Sequence, residues 1–425
     1  MKLASYWHET SEPFRGAKSE PVSGDFDVAV VGAGFTGLNA ARRLAKSGMK
    51  VALIEAQHVA YGASGRNGGH LNSGLAESFG SASAHMGEER ARRLWRAYDQ
   101  SIDMIERIVE EEQIDCSFRR AGKLKLASKP SHVERLRTMA DDIRREVDSS
   151  ARWLDRDEVR AELGSEAFHG AILYPKSAMA HMGRYANGLA AAAKKHGASI
   201  WEHNPVTARH KVANGWKLTT PTGSLTARQI ILATDAYTTS AFGYFQRRII
   251  PIASFIIATR PLTEVEVKET LAGNRTYVNS LNIANYFRLT PDNRFLFGGR
   301  ARFSAASNQR TDQSSGRLLQ QQLLSMFPQL KDVAIDYCWG GLVGCTPDRL
   351  PRAGKADDVI FGMGYSGHGA QMSTLIGSAL ADIAMGRTDT NPLEGLPLQS
   401  VPLHTGKPWF LPIVGAYYRF KDALP

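Results

Sequence analysis

Cysteine is nearly absent from this chain. Cys116, Cys338 and Cys345 are the three among 425 residues, and no two stand in C-x-x-C spacing. An odd, scattered set rules out a disulfide framework or a zinc ribbon as the organising device, and no metal is expected. It fits a reducing, cytoplasmic compartment. Long apolar runs are missing too. No stretch of eighteen or more apolar residues occurs, so no transmembrane segment is expected. The opening MKLASYWHETSEPFRG carries acidic residues where a signal peptide would be apolar. Internal repeats and low-complexity segments are lacking. Charge of one sign is present but dispersed. The net charge is +10, yet the basic clusters at 90–96, 119–125 and 135–145 lie among Glu and Asp, as on solvated helix faces. Without a zinc-knuckle, RNA-recognition or basic-zipper pattern beside them, no nucleic-acid partner is expected.

Glycine, in contrast, is plentiful, with 39 residues, and it clusters. Asp27 to Val31 reads as a short buried strand. Gly32-Ala33-Gly34-Phe35-Thr36-Gly37 follows, then a helical stretch from Leu38 ended by Gly48, then the apolar run Val51 to Ile54 closed by Glu55. G-x-G-x-x-G alone is weak, since any tight turn can use it. Between a strand and a helix, with an acid closing the next strand, it predicts a dinucleotide site. Gly32 permits the turn, Gly34 lets the backbone approach a pyrophosphate, and Gly37 lets helix and strand pack. The helix N-terminus presents unpaired N–H groups to phosphate, and Glu55 suits ribose hydroxyls while repelling a 2′-phosphate. The motif does not separate FAD from NAD. A second glycine cluster, Tyr61 to His70, suits a backbone laid along an extended cofactor, with Arg66 for pyrophosphate and Ser64 and Asn67 as hydrogen-bonding partners. A third, Gly362 to Gly369, reads as a strand-to-helix loop whose amides face either an anion or nothing in particular.

Elsewhere, 82–115 and 131–163 carry helical spacing, separated by the alternating strand Gly122-Lys123-Leu124-Lys125-Leu126-Ala127. Segment 213–224 reads as hairpin turns, 245–303 as mostly strand, 314–327 as helix, and 1–24 as irregular. Parallel β-α units mixed with antiparallel pieces predict an α/β fold of interleaved domains.

The segments DVAVVGAGFTGL (27–38), ALIEA (52–56), YGASGRNGGHL (61–71), IILATDAY (230–237), YFRLTPDNRFLFGG (286–299), FPQLKDVAIDYCWGG (327–341) and MGYSGHG (363–369) resemble those of the D-amino-acid-oxidase-like (DAO) family of FAD-dependent oxidoreductases. Within it they are most similar to the branch that oxidises γ-glutamylputrescine. The resemblance implies a Rossmann-type FAD-binding domain (25–81, 165–243 and 335–400) interleaved with a substrate domain on a large mixed β-sheet (82–164 and 244–334). By its own apolar and aromatic composition, the tail, 401–425, reads as packed on the body or, alternatively, as touching a membrane surface. The resemblance further implies FAD contacts at Gly32, Gly34, Phe35, Thr36, Gly37, Glu55 and Ala56; at Ser64, Arg66, Asn67, Gly68 and Gly69; at Val206, Ala233 and Thr234 beside the adenine; and at Gly341, Gly367, His368 and Gly369 beside the flavin. Cys345 does not match the position to which sarcosine oxidase relatives attach their flavin, so FAD is expected to be noncovalent.

The implied chemistry is oxidation of the C–N bond of a small amine or amino acid, γ-glutamylputrescine-like or secondary, by hydride transfer to flavin N5. The imine hydrolyses, O2 accepts the electrons and H2O2 forms. The alternative is a dehydrogenase that passes electrons to a quinone or protein. Substrate-side candidates are His70, Tyr286, Arg288 and His368. Arg288 reads as a bidentate carboxylate clamp or as a surface ion pair. His70 reads as lying over the flavin or as a satisfied loop histidine, and His368 as a flavin partner or a helix cap. His70 stands where that branch carries Gln, and 346–351 and 370–372 also depart from it, so the amine is left open. So is the oligomeric state.

Overall fold

The computed structural model describes residues 1–299, 309–387, 389–402, 404–406 and 408–423. The end of the strand-rich expectation, from 300 to 303, lies outside them.

Strand Asp25–Val31 is central to the first sheet because Val28 to Val31 are apolar on both faces, the composition that only a covered parallel strand tolerates. It pairs in parallel with Val51–Ile54 on one side and Gly223–Leu232 on the other. The sheet runs Arg352–Ala356, Val359–Met363, Gly223–Leu232, Asp25–Val31, Val51–Ile54, Ser199–Trp201. An antiparallel meander, Ala208–Val212 and Gly215–Thr220, is added to the front half of Gly223–Leu232. Helix Phe35–Lys46 covers one face, sandwiched between helices Met182–Lys195 and Gly369–Ala384.

The second sheet is mixed, in the order Ile335–Cys345, Ile250–Pro261, Arg294–Gly299, Asn285–Leu289, Thr276–Asn279, Lys123–Leu126, Ala171–Tyr174, Arg152–Leu154. Only the Thr276–Asn279 and Lys123–Leu126 pair is parallel among its described pairings. Two of these strands fall within chain segments expected to serve the cofactor domain, and there the division needs correction. Ala171–Tyr174 pairs with Lys123–Leu126, and Ile335–Cys345 pairs along nearly its whole length with Ile250–Pro261. Backbone groups in a buried strand need ladder partners, and these edges supply them.

The ends of the chain are also built in. Residues 1–24 hold a short helix, Tyr6–Glu9, whose Trp7 is wholly buried. Near the other end, helix Leu411–Ala423 seats Leu411 against Ile252 and Cys345. Asp422 there accepts from the backbone N–H of Asn282 and of Ile283 at 2.9 and 2.8 Å. The helix leaves Trp409, just before it, and Ile413, Tyr417 and Phe420 exposed. No helix among the described residues is long and apolar enough to cross a membrane.

Candidate functional site

One cavity of about 1010 Å³ runs between the two sheets. That is at the upper limit of small-molecule pockets, roughly 300–1,000 Å³, and so has room for an extended dinucleotide with a small substrate beyond it. Its first part is lined by the turn at 32–37, where the phosphate cradle is expected. Gly32 has φ +104°, and a Cβ there would stand 2.9 Å from the carbonyl oxygen of Ala233. A Cβ on Gly37 would stand 1.9 Å from the carbonyl oxygen of Gly32, so helix and turn touch with nothing between them. Gly34 heads the helix without a capping side chain of its own. Ser64 supplies one, its Oγ accepting from the Phe35 N–H at 2.9 Å. Glu55 lies at the end of its strand, with Oε2 accepting from the Ala33 N–H at 2.7 Å and Oε1 from the Gln57 N–H at 2.9 Å. Burial pushes its carboxyl up from the usual range, against the pull of those amides. Ala56, Val206, Ala233 and Thr234 line the same end. These groups fit the adenosine diphosphate half of FAD. Glu55→Ala is expected to weaken FAD binding about 10- to 100-fold, the worth of a hydrogen bond to a charged group; titration of the apoprotein with FAD checks it.

The loop at 61–70 is held from behind. Four of its carbonyls accept from side chains brought from three parts of the chain. Gly65 takes Ser5 Oγ–H at 2.6 Å, Arg66 takes Trp339 Nε1–H at 3.1 Å, Asn67 takes Trp7 Nε1–H at 2.6 Å, and Gly69 takes Arg288 Nη1–H at 2.6 Å. Asn67 spends its own amide within the loop, donating to Ser64 O and accepting from the Gly69 N–H, each at 2.8 Å. It therefore shapes the loop, where hydrogen bonding to phosphate or ribityl had been expected. Arg66 lies over Tyr61 and donates to Tyr61 O and Gly340 O at 2.8 and 3.0 Å, tying the loop to strand Ile335–Cys345 beside Gly341.

The third glycine loop docks against the first. Tyr365 shares a 2.6 Å hydrogen bond with Thr36, so the Thr36 hydroxyl is committed inside the protein. Asp235, at φ +43°, accepts from the Gly364 N–H at 2.7 Å and sits where a Cβ on Gly344 would be, 2.3 Å from its Oδ1. This half-buried acid, which the motifs did not single out, joins the end of strand Gly223–Leu232 to the loop and to strand Ile335–Cys345. Phe35, Gly68, Gly367 and Gly369 line the cavity; Gly37 and Gly69 lie behind its wall.

Beyond the cradle is a chamber on the face of the mixed sheet. His70 is buried, its Nε2 has no hydrogen-bond partner, and its ring meets Tyr286 edge-on at 5.5 Å. Burial, then Arg288 and Lys123, hold it well below the usual histidine range, so it is neutral. Tyr286 occupies a slot that two glycines open: a Cβ on Gly68 or Gly298 would come within 2.7 or 2.3 Å of its ring. His368 lines the chamber with Nδ1 unpartnered, pushed down to about 3 chiefly by burial and then by Lys123. Arg288 is the candidate the structure moves. It is 1% exposed, lies outside the cavity, and donates to Gly69 O, Ala180 O and Leu289 O at 2.6, 3.1 and 2.9 Å. Burial lowers it to about 9. Neither the clamp nor the surface ion pair describes it; it supports the loop from beneath. Cations that do line the cavity include Lys123, Lys125, Arg135 and Arg349. Strand alternation turns both lysines to the cavity while Leu124 and Leu126 enter the core. The alternation was legible in the sequence, but which face met a cavity was not.

Comparison with known proteins agrees with this geometry. The family described as "FAD dependent oxidoreductase" (DAO) matches residues 27–383. The chain is 31% identical over 406 residues to the probable oxidoreductase OrdL of Haemophilus influenzae, covering 93% of this chain and 92% of the relative. It is also 31% identical over 404 residues to γ-glutamylputrescine oxidoreductase of Escherichia coli, covering 94% and 93%. Among solved structures, glycine oxidase from Geobacillus kaustophilus superimposes with a TM-score of 0.74 at 21% identity, covering 89% of this chain and 99% of that one. L-proline dehydrogenase from P. horikoshii gives 0.71 at 20% identity, covering 94% and 99%. A fold shared with these flavoenzymes, a dinucleotide cradle with every part of its fingerprint in place, and a family match over most of the chain lead to one conclusion: this protein is an FAD-dependent oxidoreductase of the DAO family.

Proposed function

We propose that this enzyme oxidises the C–N bond of a small amine or amino acid, with noncovalent FAD and with O2 as the acceptor. The observation that carries the reading is the continuous cavity, which leads from the phosphate cradle into a chamber of neutral imidazoles and cationic lysines. A relative of similar length acts, by its name, on γ-glutamylputrescine. FAD, when bound, supplies the two-electron oxidant for the carbon beside nitrogen. The protein's task is then to present an unprotonated amine in a dry place. Lys123 and Lys125 do the first part by field: like charge disfavours an ammonium, as it already disfavours protonation of His70 and His368. His70 Nε2, an acceptor without a partner, takes a hydrogen bond from the substrate N–H. Tyr286 walls the chamber from the side of the mixed sheet. The imine product hydrolyses, and electrons returned to O2 yield H2O2.

The test is an anaerobic screen of polyamines, γ-glutamylated amines, N-methyl amino acids and cyclic amino acids against the purified holoenzyme, following flavin absorbance. Bleaching by one of these classes is expected, with stoichiometric peroxide on admitting air and FAD released on denaturation. A flavin that no amine reduces would refute the reading. The exposed apolar face of helix Leu411–Ala423 is the observation that favours the second reading, transfer to a quinone or protein; reduced flavin that persists in air would select it.

A further inference from the structure

The chamber contains more positive charge than an amine oxidase needs for a bare amine. Lys123 is buried. Its Nζ donates to Ser73 O at 2.8 Å and lies 4.1 Å from the centroid of the Tyr174 ring, which uses one of its three N–H bonds and one π face. Lys125, two residues along the same strand, is half-buried, and its Nζ donates to Met139 Sδ at 3.9 Å. Arg135, from helix Val133–Glu146, lines the same wall. No ion pair joins either lysine to a carboxylate among the described residues. The acids nearby each have a partner of their own but keep one oxygen without a hydrogen bond. Glu77, in the cavity wall, accepts from Ser81 Oγ at 2.6 Å and stands 3.4 Å from His85, and Asp99 pairs with Lys176 at 3.3 Å while its field offsets part of the burial of Lys123.

An enclosed ammonium without a counter-ion is unfavourable, and proteins keep such groups where something from outside completes them. Two on one strand face, with a guanidinium in the same cavity wall, make an anion site. FAD's own pyrophosphate does not fill it, because the cradle for that group lies on the parallel sheet, at the turn 32–37. Burial lowers Lys123 to about 7 and Lys125 to about 8; an arriving anion raises both and restores the charge that holds it.

We propose that Lys123, Lys125 and Arg135 form a subsite for a carboxylate carried by the substrate on the side away from the reacting amine, so that the enzyme takes amines joined to an acid group in preference to plain alkyl amines. This rests on the amine-oxidase reading for the reacting end, and it assigns the other end. It also gives the clamping role to lysines of Lys123–Leu126, now that Arg288 lies behind the wall. Lysine holds a carboxylate as a point charge from one side, without the two-pronged geometry of arginine, which suits a flexible chain whose amine must reach the cofactor independently.

The experiment uses FAD-loaded enzyme and two probes, glutarate and its uncharged diamide, titrated while following the flavin spectrum and, separately, binding heat. Glutarate is expected to bind and the diamide not. Lys123→Met and Lys125→Met should each weaken glutarate about 10- to 100-fold, the worth of a charge-assisted hydrogen bond, with FAD content and thermal midpoint retained. Lys125→Met is the safer variant, since that side chain is half-buried and bonded to no backbone group. Equal binding of both probes, or glutarate binding indifferent to both substitutions, overturns the subsite. The two readings fail separately. If γ-glutamylated amines bleach the flavin but their KM is unmoved in both variants, the subsite is wrong and the oxidase stands. If no amine bleaches it while glutarate binds through the lysines, the subsite stands and the amine chemistry is wrong.

Discussion

Arg288→Ala is expected to yield protein that purifies with little or no FAD. The substitution removes the donor to Gly69 O, Ala180 O and Leu289 O, all enclosed, and leaves a hole beneath the loop at 61–70. Gly69 O keeps the Ala180 N–H at 3.4 Å; one or two other carbonyls left without a partner, at about 1–3 kcal/mol each, come to about 1–6 kcal/mol. Over a chain of 425 residues the unfolding entropy is large, so that loss lowers the thermal midpoint by only about 1 °C per kcal/mol. Flavin content is the sensitive readout, because Gly69, at φ +73°, directly precedes His70 and packs on Arg288 Nη1, which a Cβ there would approach to 2.7 Å. A substrate clamp would behave otherwise, with normal flavin content and a raised KM for acidic substrates. Normal loading of the alanine variant would show that the loop stands without its support.

Gly37→Ala is expected to abolish FAD uptake altogether. A methyl group would sit 1.9 Å from the carbonyl oxygen of Gly32 and 3.2 Å from Val30 Cγ1. Carbon and oxygen do not approach closer than about 3 Å, so helix Phe35–Lys46 would have to retreat from the turn by about 1 Å. The helix N-terminus and the turn amides would then no longer converge on one phosphate. A displacement of that size is worth about 100-fold or more in a preorganised site. The helix would also press on Gly377, whose own close neighbour is Thr36 O. Reconstitution of the purified variant with excess FAD, read by absorbance after gel filtration, checks this; yellow protein would refute it. Gly367→Ala makes a useful contrast. A Cβ at Gly367 meets nothing within 4 Å, although its φ of +94° strains any larger residue.

The cradle was legible in the chain because its rules are local. Gly32, Gly34, Gly37 and Glu55 act within one β-α-β unit, where a turn, a helix start and a strand end follow each other at short spacing. The clustering of glycine at 61–69 and 362–369 was equally visible, since close backbone approach demands glycine wherever it occurs. Arg288 was misread for the opposite reason. An arginine on a strand looks the same in sequence whether it faces a cavity or the underside of a loop more than 200 positions away, and its contact with Gly69 belongs to the second case. Trp7 and Ser5 lay in a stretch with no periodicity, yet they hold the loop through Asn67 and Gly65. Asn67 and Thr36 have the expected neighbours but spend their polar atoms on the protein.

Local order alone therefore pointed to a dinucleotide site at the turn 32–37, because hydrogen-bonding and steric demands over a dozen residues leave few other solutions. It also decided that Lys123 and Lys125 share a face, through the period of two in an extended strand. Which face looks into a cavity, which strands join which sheet, and which cation is enclosed without a counter-charge were decided only when Ala171–Tyr174, Thr276–Asn279 and Ile335–Cys345 came together. Those pairings close loops of tens to hundreds of residues. The chain carries no short-range mark of them, and their free energy comes from burial shared across the whole mixed sheet.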